Sequence, residues 1–307
     1  RGASLARLVW LTRDGRVEPI LPQPRSFAFA RLSPDERRIA VIVVDNRKSD
    51  AWIYDIGQGT FSRLTTTGTV TSVDWTPDGS QVVFTTLGES SEIEVWSRPA
   101  TGGTEARQLL KHGGGTVTVA VSPDGKSLLL TAIPRLDWDV YRVSLDSAPV
   151  ARPYLATGAH ERAPRFSPDG HWVALTSDES GQDEIYVRSY PDPSSRIQIS
   201  VGGGSEATWS RDGSLVYYRS GRALLAARVS RSSGFTLVGR DTVIGMAGTL
   251  SDFTGVQNGD FSGAYQPSRD GRRFLAILSD RNEFQLVVSP NWITELRRRV
   301  AEAGARP

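Results

Sequence analysis

One short turn sequence recurs along this chain and limits what it can become. Phe166-Ser167-Pro168-Asp169-Gly170 is followed by the apolar run Trp172-Val173-Ala174-Leu175, which reads as strand, tight turn and second strand. The Asp can hydrogen-bond the turn backbone, and the Gly accepts a positive φ without a Cβ clash. The same device stands at Thr76-Pro77-Asp78-Gly79 and Ser122-Pro123-Asp124-Gly125. Altered copies are Ser33-Pro34-Asp35-Glu36, Ser210-Arg211-Asp212-Gly213 and Ser268-Arg269-Asp270-Gly271. Subtracting successive turn aspartate positions gives steps of 43, 46, 45, 43 and 58 residues. A period of roughly 40–50 residues marks a repeat architecture, and four short strands per repeat mark propeller blades. The expected fold class is therefore all-β, a six-bladed β-propeller.

The pattern divides residues 1–307 as one domain. A closing hairpin takes 1–24, folded around Asp14-Gly15. The blades follow at 25–67, 68–112, 113–157, 158–201, 202–246 and 247–289, and a short C-terminal helix and tail take 290–307. The second strand of each repeat is apolar on both faces, as a blade interior should be. The sixth repeat comes late, after the Gly/Ser/Asp/Asn-rich stretch 245–262. It shows strands at 264–265, 274–278 and 284–288 but no fourth, so the N-terminal hairpin is the expected donor. Pairing the chain start with the last blade would remove the free sheet edge. In the tail, Ser289 can cap a helix with Pro290 at its first position, and Trp292, Ile293, Leu296 and Val300 share one face.

The balance of 36 basic and 34 acidic residues, net +2, argues against nucleic acid or an anionic membrane as partner. With no cysteine there are no disulfides and no thiolate ligand or nucleophile. No apolar run approaches the roughly 18–20 residues of a membrane span, so no direct membrane insertion is expected. The chain opens on Arg1 rather than Met, which leads to the expectation that an upstream segment has been removed.

The turns, each followed by a strand and then by an acidic residue opening the third strand (Asp50, Glu92, Asp139, Glu184, Glu283), resemble the WD-like repeats of the TolB-type β-propeller. Ser177-Asp178-Glu179-Ser180-Gly181 with Glu184-Ile185-Tyr186-Val187-Arg188, Leu8-Val9-Trp10 and Asn291-Trp292 add to it. Together they resemble the propellers found C-terminal to bacterial transmembrane serine/threonine kinases. The resemblance covers nearly the whole chain; Glu36, Arg211, Arg269 and the stretch 245–262 depart from it. It implies an extracytoplasmic sensor or scaffold domain of a membrane-anchored parent. This propeller serves many functions, so the fold alone names none.

The turn aspartates Asp35, Asp78, Asp124, Asp169, Asp212 and Asp270 are read as structural, each serving its local backbone. His112-Gly113-Gly114-Gly115 lacks the Gly-x-Ser-x-Gly elbow that an esterase needs. The acidic loop 178–184 does not follow the EF-hand pattern. Trp52, Trp75, Trp96, Trp172 and Trp209 are most simply inter-blade core. Trp138 is different, an aromatic between Asp137 and Asp139 in a loop. His112 and His160 lie in loops leading into first strands, with Glu161 nearby, short of a zinc ligand set. No catalytic residue, metal or cofactor is assigned. The leading expectation is a non-catalytic module that binds a protein, peptide or glycan through the loops joining blades and the second-to-third-strand loops. Its candidate patch is His112, Asp137, Trp138, His160, Glu161, Arg162, Glu206 and the stretch 245–262. The alternative is a metal-dependent lactonase, for which Glu206, Asn258 and Asp260 are the loose candidates, or the propeller of a peptidase.

Overall fold

The computed structural model describes residues 5–279, apart from 89–91, 134–137, 147, 222, 232–233 and 245–264. It is all-β, with no α-helix among the described residues. The N-terminal hairpin is β1 (Ala6–Thr12) and β2 (Val17–Pro19). Blade 1 is β3 (Phe27–Leu32), β4 (Arg38–Asp45), β5 (Lys48–Asp55) and β6 (Thr60–Arg63). Blade 2 is β7 (Val70–Trp75), β8 (Gln81–Leu87), β9 (Ile93–Pro99) and β10 (Arg107–His112). Blade 3 is β11 (Gly115–Val121), β12 (Ser127–Ile133), β13 (Asp139–Ser144) and β14 (Ala151–Leu155). Blade 4 is β15 (Glu161–Phe166), β16 (Trp172–Ser177), β17 (Glu184–Ser189) and β18 (Arg196–Gln198). Blade 5 is β19 (Ser205–Trp209), β20 (Leu215–Ser220), β21 (Ala223–Ser230) and β22 (Thr236–Ile244). Blade 6 holds β23 (Tyr265–Pro267) and β24 (Arg273–Ser279).

Each blade is a four-stranded antiparallel meander. In blade 6 the order is β23-β24-β1-β2, so the hairpin supplies both outer strands. The register runs from Ala6 opposite Ser279 to Thr12 opposite Arg273. Closure by the N-terminal hairpin is thus as expected, but β1 holds the third position, where 284–288 was placed. Residues 284–288, Glu283 and the helix expected at 290–307 lie outside the described residues. The first strands touch their successors around the ring, from β3 through β7, β11, β15, β19 and β23 back to β3. They are the inner strands and surround a central channel.

Burial on both faces follows from alternation along the strands. In β4, Ile39, Val41 and Val43 join Ala6, Leu8 and Trp10 in the core between blades 6 and 1. Ala40 and Ile42 point the other way, against Val73, Val82 and Phe84 of blade 2. A side chain pointing to either face of a strand is therefore taken out of water, at about 1.5–3 kcal/mol for a large aliphatic or aromatic residue. Six such cores lie between successive blades. Trp75 and Trp209 are buried in them; Trp52, Trp96 and Trp172 pack against them half-buried.

The repeated turns use one set of bonds. The Ser or Thr hydroxyl donates to the Asp Oδ1 in all six, at 2.5–2.7 Å. The same oxygen accepts the N–H two residues on, at 3.0–3.1 Å. Blade 1 lacks the turn glycine, and Glu36 takes φ +60° in its place. A Cβ on Gly125 would lie 3.4 Å from Pro77 of the preceding turn, so the turns also abut one another.

Candidate functional site

Because every blade is a meander, the first-to-second-strand turns gather on one face of the ring. The loops entering first strands and the second-to-third-strand loops gather on the other. On that loop face, blades 3 and 4 bring four of the expected residues together. His160 Nδ1 lies 2.6 Å from Asp178 Oδ2, and the His160 N–H donates to Asp178 Oδ1 at 2.8 Å. Burial pulls the Asp178 carboxyl upward, but His160 and Arg162 outweigh it and hold it below the usual range. Arg162 pairs with Asp183 and sits 5.8 Å from the Trp138 ring centroid. The Glu161 N–H donates to the Trp138 carbonyl at 2.6 Å, tying the two blades. An open depression of about 530 Å³ adjoins them, lined by Thr157, His160, Asp178 and Glu179 among others.

Glu161 is the unusual member. It is 0% exposed. Its Oε1 accepts the Thr157 hydroxyl, while Oε2 has no hydrogen-bond partner among the described residues. Burial pushes its carboxyl up, and Asp139 and Glu179 add to the shift against the Thr157 bonds. The rest of the acidic loop is committed elsewhere. Glu179 joins Arg188 at 3.0 Å and Arg196 at 2.8 Å, and Glu184 accepts the Gly203 N–H at 2.9 Å and the Ser200 hydroxyl. Asp50 acts likewise in blade 1, taking the Thr65 hydroxyl at 2.7 Å and the Gly68 N–H at 3.1 Å. These two acids at the start of third strands thus pin the loop into the next blade. Among the described residues no three His, Asp or Glu side chains are grouped to hold a metal.

Two expected members lie elsewhere. His112 ends β10 rather than occupying a loop, and its ring meets Tyr141 at 5.5 Å. Glu206 belongs to the channel wall on β19, with φ +58° and an ion pair to Arg219 at 3.2 Å. Asp137, the stretch 245–262, Asn258 and Asp260 lie outside the described residues.

The channel interior is charged. Arg31 is buried, and desolvation draws its guanidinium down to about 10 against the opposing pull of Asp74, Glu206 and Tyr265. Burial pushes the Asp74 carboxyl up, with Arg31 countering it. Asp74 Oδ2 accepts the Val121 N–H at 2.9 Å, and Gln266 Oε1 the Leu32 N–H at 2.9 Å. Side chains of one blade therefore satisfy inner-edge backbone groups of the next. On the turn face the channel opens into a cavity of about 550 Å³ reached by all six blades. Sequence reasoning missed it; the signal available was the exchange of the turn proline for Arg211 and Arg269.

No family model matches the chain. A 110-residue stretch, 36% of the chain, is 30% identical to an uncharacterized protein of Agrobacterium fabrum and spans 36% of that relative's length. A candidate TolB of Agrobacterium tumefaciens is similar with a TM-score of 0.69 at 21% identity, covering 91% of this chain and 99% of that one. TolB from Acinetobacter baumannii gives 0.58 at 17% identity, covering 91% and 65%. The periplasmic gluconolactonase of Pseudomonas aeruginosa gives 0.53 at 18%, covering 90% and 96%. The class these likenesses define is the six-bladed β-propeller. Within it, the fold is that of the TolB-type propellers.

Proposed function

We propose that this propeller is a non-catalytic binding module, holding a polar protein, peptide or glycan on the loop face. The observation that supports it is the convergence of Trp138, His160, Arg162 and Asp178 from two adjacent blades beside an open depression, with the buried Glu161 tying the two blades through its backbone N–H. The group offers an aromatic face, a cation, an anion and an imidazole on a rigid scaffold, as recognition of a polar ligand requires. The sequence resemblance supports the wider setting: the extracytoplasmic sensor or scaffold domain of a membrane-anchored bacterial signalling protein such as a receptor-like kinase. No helix among the described residues is long and apolar enough to cross a membrane.

The test is a binding screen on peptide and glycan arrays with the protein and its W138A/H160A/E161Q variant, both checked for native circular dichroism. Ligands held by the wild type should lose tenfold or more in affinity for the variant. Full retention by a folded variant would dismiss the patch.

A further inference from the structure

The cavity on the turn face is unlike the rest of the surface in how its rim is built. Pro34, Pro77, Pro123 and Pro168 supply one side, from blades 1 to 4. At the same turn position, blades 5 and 6 carry Arg211 and Arg269. Proline pre-sets the backbone at that position of the turn. An arginine there gives up that advantage and adds nothing to the turn's own bonds, which are those of the other four. Both arginines are exposed, and neither guanidinium has a hydrogen-bond or ion-pair partner among the described residues. The nearby Glu36 carboxylate receives the Arg269 backbone N–H instead.

Inside this rim Leu32, Trp75, Val121, Phe166 and Trp209 supply apolar surface, interspersed with the polar Ser33, Ser122, Thr208 and Gln266. The two indoles are fixed, because Trp75 Nε1–H donates to the Arg31 carbonyl and Trp209 Nε1–H to the Arg165 carbonyl, each at 3.0 Å. Asp74 and Arg165 lie deeper. A volume near 550 Å³ falls within the roughly 300–1,000 Å³ of small-molecule sites.

We propose that this mouth is a second binding site, for a carboxylate carried on an apolar body of about the size of an aromatic side chain. The carboxylate would lie between Arg211 and Arg269, which match its geometry through forked N–H donors. The body would pack against the fixed indoles of Trp75 and Trp209 and their apolar neighbours, at little cost in ordering the protein. Asp74 below opposes a second negative charge, which favours a monoanion over a phosphate dianion. The same chemistry is presented by a free organic acid and by the C-terminal residue of a peptide. The site faces away from the loops, so it stands or falls independently of the patch proposed above.

The test is isothermal titration at low salt with three probes: 3-phenylpropionate, N-acetyl-glycyl-phenylalanine as the free acid, and the same peptide as its amide. At least one acid should bind, the amide at least tenfold more weakly than the peptide acid. The exposed-site variant R211Q/R269Q, checked for an unchanged melting temperature, should lose tenfold or more for that acid. Tighter binding of the peptide acid than of phenylpropionate identifies a chain end as the source, and the reverse identifies a free acid. No heat from either acid at millimolar concentration, an amide that binds as well as the peptide acid, or a Gln variant that binds like the wild type overturns the proposal.

Discussion

A carboxyl group sealed from water favours its neutral form unless something compensates the charge. Glu161 shows this most sharply, because among the described residues only one of its oxygens has a donor. Burial raises its folded pKa above the ordinary 4.5, so the fold penalises the ionised group. That cost is present above the folded pKa and disappears as pH falls toward and below 4.5. Glu161→Gln keeps an acceptor for Thr157 and removes the charge. It should melt at the same or a higher temperature at pH 7, with the gap closing near pH 4 in calorimetry. A lower melting temperature at pH 7 would count against this account. The turn aspartates behave oppositely: at Asp78 the Thr76 hydroxyl, then Ser80, draw the carboxyl down to about 2. Their contribution is full above the unfolded value of 3.8 and fades as pH falls through the folded one. The turns were legible because the bonds that the repeated Ser or Thr and Asp make to one another and to the turn backbone all lie within five residues. The setting of Glu161 was not, because its neighbours include Asp139 and the Trp138 carbonyl of another blade. Arg211 and Arg269 stood out in the sequence only as lapses from a pattern; their shared rim needed the ring to be closed.

Among the elements, β1 carries the most consequence for its length. It fills the third position of blade 6 and faces two cores, Leu8 and Trp10 toward blade 1 and Val9 and Leu11 toward blade 5. Leu8 is 0% exposed. Leu8→Ala should cost about 2–5 kcal/mol, since neighbouring sheets relax only partly around a lost side chain. Urea unfolding of the variant measures this, and a loss below about 0.5 kcal/mol, the size of an ordinary surface substitution, would show that the hairpin is loosely held. The sequence revealed that the last repeat needed an outside strand, because a fourth apolar segment was missing. It did not reveal which position the hairpin takes. Residues 284–288 are a short, largely apolar run like Leu8-Val9-Trp10-Leu11, and a strand pattern states a fitness to pair without naming the neighbour. In blade 5 the fourth strand runs on to Ile244, with Arg228 and Ala227 pairing Gly239 and Arg240.

At the scale of the whole molecule, a closed ring differs from an open array of repeats. An open array has end units that can fray, whereas here every blade has two neighbours. Phe84 lies in the core between blades 1 and 2, and Phe274 in the core between blades 5 and 6. Phe84→Ala and Phe274→Ala should each cost about 3–5 kcal/mol and shift one common calorimetric transition. Two separated transitions in either variant would show that the blades melt as independent groups.

The seam between β1 and β24 also sets how the ring responds to load. The strands run antiparallel, with Ala6 beside Ser279, so the outward ends of both lie at the same end of the ladder. Tension applied at Leu5 and Ser279 would therefore bear on one hydrogen-bonded rung at a time and part the strands as a zip. A pull across their opposite ends would strain all the rungs together. Among the described residues, blade 6 is thus the one place where a hydrogen-bonded ladder joins segments far apart in sequence, while each of the other five blades is continuous in sequence.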